Sequence, residues 1–221
     1  MFGNRPHNTS SYTRWFILGG TNYDANLGVT HLNQYGIDAI PIGISENPVE
    51  QTWLQTNGQK KLLNLLLEKL YNLNGENIIV YCNSLSFAVN WVQLRKLTKC
   101  NFYPLTNVYQ NIAIKYTSVS LVSGNNCMLS NASAYITSLN NNISILGFSY
   151  LPIICKIENN DCTVRNILKS TIDISISSGV GAVIMGCTHF ENIVFESNSK
   201  IDIIYPAKRN RSQGMNFSRA T

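Results

Sequence analysis

The sequence predicts an α/β fold built from two similar parallel-sheet halves, and three observations carry that prediction. Short apolar runs alternate with helix-like stretches along most of the chain. One of those stretches, Gln59 to Leu73, sets Leu62, Leu63, Leu66, Leu67 and Leu70 at three- and four-residue intervals, the buried stripe of an amphipathic helix. One apolar-run, cysteine, helix unit also occurs twice. Strands that alternate with helices imply right-handed crossovers and a mostly parallel sheet.

Taken in order, Trp15–Leu18 reads as a buried strand that runs into a loop at Gly19-Gly20-Thr21-Asn22. Asp38–Gly43 is a second extended run, after which Ser45 is placed to cap a helix carrying Pro48 and Glu50 in its first turn. The leucine-striped helix ends near Gly75. Asn77–Tyr81 is the next strand, with Ser84 placed to cap a helix that carries Ala88, Trp91 and Val92. Ser118–Val122, Ile143–Leu146, Gly181–Met185 and Ile201–Ile204 follow as strands, with helices over Asn131–Leu139 and about Thr163–Ser178. The expected organisation is a first α/β domain over 15–104 plus 190–207, a second over 105–189, and a loosely held basic tail over 208–221.

Composition narrows the function classes. With 221 residues, 44% hydrophobic and 13% charged, the chain is globular, of one to two domains, and long enough for a sizeable core. No apolar stretch approaches the ~18 residues of a membrane span, so no membrane partner is expected. The net charge is +5, and Lys208, Arg209, Arg211 and Arg219 crowd the C-terminal end, leaving the body nearly neutral. Without a basic patch interleaved with aromatics, nucleic-acid binding is not expected. Met1–Arg14 is polar and the following apolar piece is too short for a signal-peptide core. The six cysteines are dispersed with no CxxC pair, so neither a disulfide framework nor a metal knuckle is expected, and a reducing cytoplasm is the expected location.

Two of those cysteines occupy matching places. Asn77-Ile-Ile-Val-Tyr-Cys-Asn-Ser-Leu-Ser86 parallels Gly181-Ala-Val-Ile-Met-Gly-Cys-Thr-His-Phe190: an apolar strand, a cysteine, two polar residues, then a helix. Cys82 and Cys187 lie 105 residues apart. Ligands in open α/β sheets gather at the carboxyl ends of strands, so both thiols fall where small-molecule chemistry is done. Two such units imply two halves facing across a cleft. Paired thiols there could form a disulfide, contribute to a zinc site for which His189 alone does not complete the ligand set, or transfer protons to opposite faces of a carbon. They could also be buried core residues.

Cys82-Asn83-Ser84 and Gly186-Cys187-Thr188-His189 resemble the CNT and GCTH motifs of the glutamate racemase family. Pro41-Ile42-Gly43 resembles its PYG substrate loop, and the first strand and turn with Asp24 and Leu27-Gly28 resemble its N-terminal region. The order of these pieces fits over roughly residues 15 to 206. The resemblance implies two α/β halves related by a pseudo-two-fold axis with the active site between them. It implies cofactor-independent racemisation of glutamate, without metal, supplying D-glutamate for peptidoglycan. In that reading Cys82 and Cys187 are the two acid–base groups. Asp24 assists Cys82, and His189 assists Cys187 with Glu158 orienting the imidazole. Asn83, Ser84 and Thr188 hold the substrate carboxylates, the Pro41-Ile42-Gly43 loop closes over them, and a homodimer is compatible. Departures are specific: Ser84 stands for threonine, Pro-Ile-Gly lacks the tyrosine, residues 123–130 lack the family's threonine-bearing loop, and Ile204-Tyr205-Pro206-Ala207 replaces its acidic or serine-containing stretch. They leave open an aspartate or broad-specificity acidic amino-acid racemase, and an inactive binding protein that keeps the cleft.

Overall fold

The computed structural model describes residues 14–197 and 201–209. In the first half, β1 (Trp15–Thr21), α1 (Asn22–Asn33), β2 (Ala39–Ser45), α2 (Pro48–Thr56), α3 (Gln59–Leu70), β3 (Asn77–Val80), α4 (Asn83–Ala88), α5 (Trp91–Thr98) and β4 (Asn101–Tyr103) follow one another. Then come α6 (Thr106–Lys115), β5 (Ser118–Ser123), α7 (Asn126–Leu139), β6 (Ser144–Ser149), α8 (Leu151–Glu158), α9 (Val164–Ser177), β7 (Ala182–Gly186), a 3-10 turn (Thr188–Asn192), β8 (Asp202–Ile204) and α10 (Pro206–Arg209). The strands form two four-stranded sheets of order β2-β1-β3-β4 and β6-β5-β7-β8, parallel throughout. The two orders are the same pattern, and Cys82 and Cys187 follow β3 and β7, the third strand of each.

Side chains alternate across each sheet, and the alternation builds three core layers. Ile17, Ile79, Tyr81, Val119, Leu121, Ala182 and Ile184 share one cluster that both sheets contribute to. Their neighbours Phe16, Leu18, Ile78 and Val80 face an outer cluster beneath the leucine stripe of α3, with Leu62, Leu66 and Leu70. Val122, Val183 and Met185 face the third, with Leu168 of α9. The shared layer joins the halves, so the cleft at the strand ends has a fixed floor.

Several elements differ from the sequence expectation. The stretch after Gly20 is not a loop but α1, whose buried face is Asp24, Ala25, Gly28 and Leu32. Its small residues let it lie close against β1 and β3: a Cβ on Gly28 would come within 2.5 Å of Ile17. Ser45 stays in β2 and donates to the Gly20 carbonyl at 2.6 Å, while Asn47 caps α2 by accepting from Val49 and Glu50. Ser84 caps nothing; Cys82 takes the N-cap position of α4 without a side-chain bond. The expected helix through Val92 breaks after Ala88, and Asn90 starts α5. Asn125 caps α7 at 2.8 Å from Met128 N, so that helix begins five residues before Asn131. Helices α6 and α8 and strand β4 were not anticipated.

Residues 202–204, expected with the first domain, pair with β7 as the edge of the second sheet. Lys208 and Arg209 are not tail residues but part of α10, where the Lys208 ammonium donates to the Glu191 carbonyl at 3.0 Å. The rest of the expected tail, 210–221, lies outside the described residues. Among the described residues no helix is long and apolar enough to cross a membrane.

Asn47 is exposed and its side-chain cap bonds stay within α2, which isolates their contribution. Asn47→Ala is expected to lower unfolding free energy by about 1 kcal/mol, read as a fall in the urea midpoint at unchanged m-value.

Candidate active site

The carboxyl ends of β3 and β7 meet the start of α2 and the N-terminal ends of α7 and α8 around one cavity. Cys82, Asn83, Ser84, Gly186, Cys187, Thr188, His189 and Asp24 line it, together with Pro48, Gln51, Thr52, Gly124, Asn125, Met128, Leu151 and Ile154. Its volume is about 20 Å³, enough for the centre of roughly one water, so the cavity is narrow. All six cysteines are free thiols. The sequence places both motif thiols here, and the structure brings them to the same cavity from the two halves.

The surroundings of the two sulfurs are unequal. Cys82, 3% exposed, lies among neutral donors: Gln51 Nε2 donates to Sγ at 3.0 Å and the Ser84 hydroxyl is at 3.3 Å. Burial, and then the charge of Asp24, push its thiol up to about 12, against the lowering effect of the Ser84 bond. Cys187 is half-buried, with His189 Nδ1 3.6 Å from its sulfur. Gly124 leaves that sulfur room, since a Cβ there would sit 3.1 Å from Sγ.

Charge in the site is concentrated on the Cys187 side. Asp24 and His189 are each 1% exposed. His189 Nδ1 lies 3.0 Å from Asp24 Oδ1, and Nε2 lies 2.8 Å from Glu158 Oε1. Tyr23 stacks on the imidazole with ring centroids 4.8 Å apart. Burial alone would lower the His189 pKa, but the Asp24 carboxylate and Cys187 outweigh it and hold it well above its ordinary value. Burial alone would raise Asp24; His189 and the Thr188 hydroxyl outweigh it and hold the carboxyl below its ordinary range.

This geometry revises three expected roles. Asp24 does not bond Cys82: its carboxylate is occupied by the Thr188 hydroxyl at 2.5 Å, His189 and the Thr21 N–H, and only its charge reaches Cys82, in the direction that opposes a thiolate. Thr188 therefore donates to Asp24, although it lines the cavity. Pro41, Ile42 and Gly43 lie within β2, paired with Ile17, Leu18 and Gly19, and do not line the cavity. Glu158 sits at the end of α8, within hydrogen-bond distance of His189.

Asn83, which lines the cavity, carries an unsatisfied donor. Its Oδ1 accepts from the Tyr109 hydroxyl at 2.6 Å. Burial pushes that phenol well above its ordinary value. On the same amide, Nδ2 is buried with no partner. Such a group costs about 1–3 kcal/mol until something accepts from it. Sequence reasoning missed Gln51, Gln55 and Asn125. The first two sit four residues apart on α2, and that i, i+4 amide pair was the available signal. Among the described residues no set of three or more His, Cys, Asp or Glu side chains converges as metal ligands would.

The signs of the two shifts fix a pH window. The contribution of Asp24 is present above the ordinary carboxylate value of 3.8 and is lost as pH falls through its lowered folded value. That of His189 is fully present below its ordinary 6.5 and is lost as pH rises through its raised folded value. Stability from the pair is therefore expected to hold from mildly acid to neutral pH and fall on both sides. Asp24→Asn is expected to bring the His189 titration, followed by NMR of the imidazole, below its position in the parent.

No protein-family model matches the sequence, and no curated protein matches it. Solved structures do match. The glutamate racemase isoform RacE1 from Bacillus anthracis superposes with a TM-score of 0.67 at 14% identity, over 91% of this chain and 80% of that one. The aspartate racemase from Picrophilus torridus gives 0.63 at 16% identity, over 88% and 90%. The allantoin racemase from Klebsiella pneumoniae gives 0.59 at 12% identity, over 90% and 86%. The chain thus has the two-half α/β fold of these racemase structures.

Proposed function

We propose that the protein is a racemase that works without a cofactor, moving a proton between the two faces of a substrate α-carbon through Cys82 and Cys187. The observation that carries this is the delivery of two free thiols, from equivalent strand ends of the two halves, to one narrow cavity. One sulfur removes the α-proton and the other supplies one from the opposite side, so the centre inverts and the protein ends with one proton moved from sulfur to sulfur. Cys82, whose thiol burial keeps protonated, begins as the acid, and Cys187 beside His189 begins as the base. The reverse reaction exchanges the roles. Asp24 and Glu158 hold His189 between them, which places positive charge near Cys187. A dry cleft suits this chemistry, because fixed donors stabilise a developing carbanion best where water is excluded.

Acidic amino acids are the proposed substrates, glutamate first and aspartate next. The unpartnered Asn83 Nδ2 supports this, since a substrate carboxylate would satisfy it. With glutamate as substrate, the D-enantiomer formed would serve peptidoglycan assembly. A second reading is a neutral carbon acid. It is favoured by the wall of Pro48, Met128, Leu151 and Ile154, and by the lack of any Lys or Arg among the described residues that line the cavity.

The test is proton NMR in D2O, without added cofactor, of both enantiomers of glutamate, aspartate and allantoin. Loss of the α-proton signal with a parallel change of optical rotation is expected on one of them. Cys82→Ser and Cys187→Ser are each expected to cut turnover at least about 100-fold, the lower range of positioned acid–base catalysis. No exchange on any of the six compounds would overturn the racemase reading.

A further inference from the structure

The Cys82 side of the cavity contains a hydrogen-bond network whose direction can be worked out from valence alone. Ser84 Oγ has three polar neighbours: Gln51 Nε2 at 2.9 Å, Gln55 Nε2 at 3.0 Å and Cys82 Sγ at 3.3 Å. A hydroxyl has one hydrogen and two lone pairs. With two amide N–H groups donating to its lone pairs, its own hydrogen has one direction left, toward the sulfur. Gln51 carries a second amide hydrogen, and Nε2 lies 3.0 Å from the same sulfur. Cys82 Sγ therefore accepts from two donors at once, and both belong to a network that begins on α2.

Glycine at position 20 leaves the Gln51 amide its room. The amide lies directly over Gly20 at the end of β1, where a Cβ would fall 1.9 Å from Nε2. Any side chain at position 20 would displace it. Gln51 and Gln55 are both buried, and they stand one turn apart on the face of α2 turned to the cleft.

We propose that Gln51, with Ser84 oriented by Gln55, forms a neutral donor pocket that holds Cys82 as a thiolate once its proton has passed to substrate. The two sulfurs are then served by different chemistry: an ionic Asp24–His189–Glu158 cluster beside Cys187, and amide and hydroxyl donors at Cys82. The division follows from position. Asp24 already lies close enough to act on Cys82 by its charge, so uncharged donors are what can stabilise a second negative centre there without drawing in another counter-ion. The proposal rests on the reading of Cys82 as an acid–base group, but it concerns the sulfur's own ionisation, which can be measured in the absence of turnover.

The experiment follows the rate at which methyl methanethiolsulfonate modifies Cys82 and Cys187, quantified peptide by peptide by mass spectrometry over about pH 7 to 10, where the rate tracks the thiolate fraction. Gln51→Met, similar in size and without donors, is expected to slow Cys82 at least about tenfold at a given pH, the effect of losing a bond to a charged group. Cys187 is expected to keep its rate, which serves as the internal control for folding. Ser84→Ala, which removes only one oxygen, is expected to slow Cys82 in the same way and carries the test where Gln51→Met fails to fold. An unchanged or faster Cys82, or equal slowing of both cysteines, would overturn the proposal. The racemase reading is judged separately, on α-proton exchange: slowed Cys82 with no exchange on any substrate would keep the donor pocket and remove the racemase, and the converse would do the opposite.

Discussion

The buried carboxylate of Asp24 is the constraint around which the cleft is arranged. A carboxylate that is 1% exposed must be paired and hydrogen-bonded or give up its charge. Its partners are the N–H of Thr21 from its own capping box, then the hydroxyl of Thr188 and the imidazole of His189 from the far half. That requirement brings α1 against the turn after β7, closes one side of the cavity, and sets His189 with Nδ1 toward Asp24 and Nε2 toward Glu158. Tyr23, one residue before Asp24, covers the imidazole face and accepts from Asn192 Nδ2 at 2.6 Å. Small residues at Ala25 and Gly28 allow α1 to approach closely enough for the carboxylate to reach.

A pseudo-symmetric fold thereby carries an asymmetric site. The sheets have the same strand order, and each thiol follows the third strand of its sheet. Yet β1 leads into a capping box with an aspartate, while its counterpart β5 leads to Gly124 and the neutral cap Asn125. The difference puts one negative charge on one side of the cavity. Repetition of the fold supplies the two thiols, and divergence at the ends of β1 and β5 gives them different surroundings.

Much of this was legible in the chain. Strands other than β4 were visible because each is a short apolar run, and the thiol pair because the same strand–cysteine–helix unit recurs after 105 residues. Glu158 near His189 was anticipated from a resemblance rather than from the polar sequence that surrounds it. What stayed hidden has physical causes. Helix α1 buries Ala25 and Gly28 in place of large apolar residues, so its stripe is made of absences. Helix α6 has a plain i, i+4 pattern in Val108, Tyr109, Ile112 and Ala113, which was there to be read. Pro41-Ile42-Gly43 matched a loop in letters, but the register of β2 on β1 keeps those residues within the strand. The i, i+4 pair of Gln51 and Gln55 was there to be read, but its place beside Cys82 was not, because it depends on the space above Gly20, a property of the fold.

The contacts across the cleft are unequal in kind. On the Asp24 side the halves are joined by buried, partly ionic bonds. Tyr81 donates to Glu191 at 2.6 Å nearby, with His31 beside both. On the α2 side the hydrogen bonds that cross are Asn125 Nδ2 to Thr52 at 3.3 Å and the long Cys127 contact to the Gln55 carbonyl at 3.9 Å. Neutral bonds of that length contribute less than buried charged ones. The walls of the cleft are thus held by weaker hydrogen bonds at α2 than at Asp24.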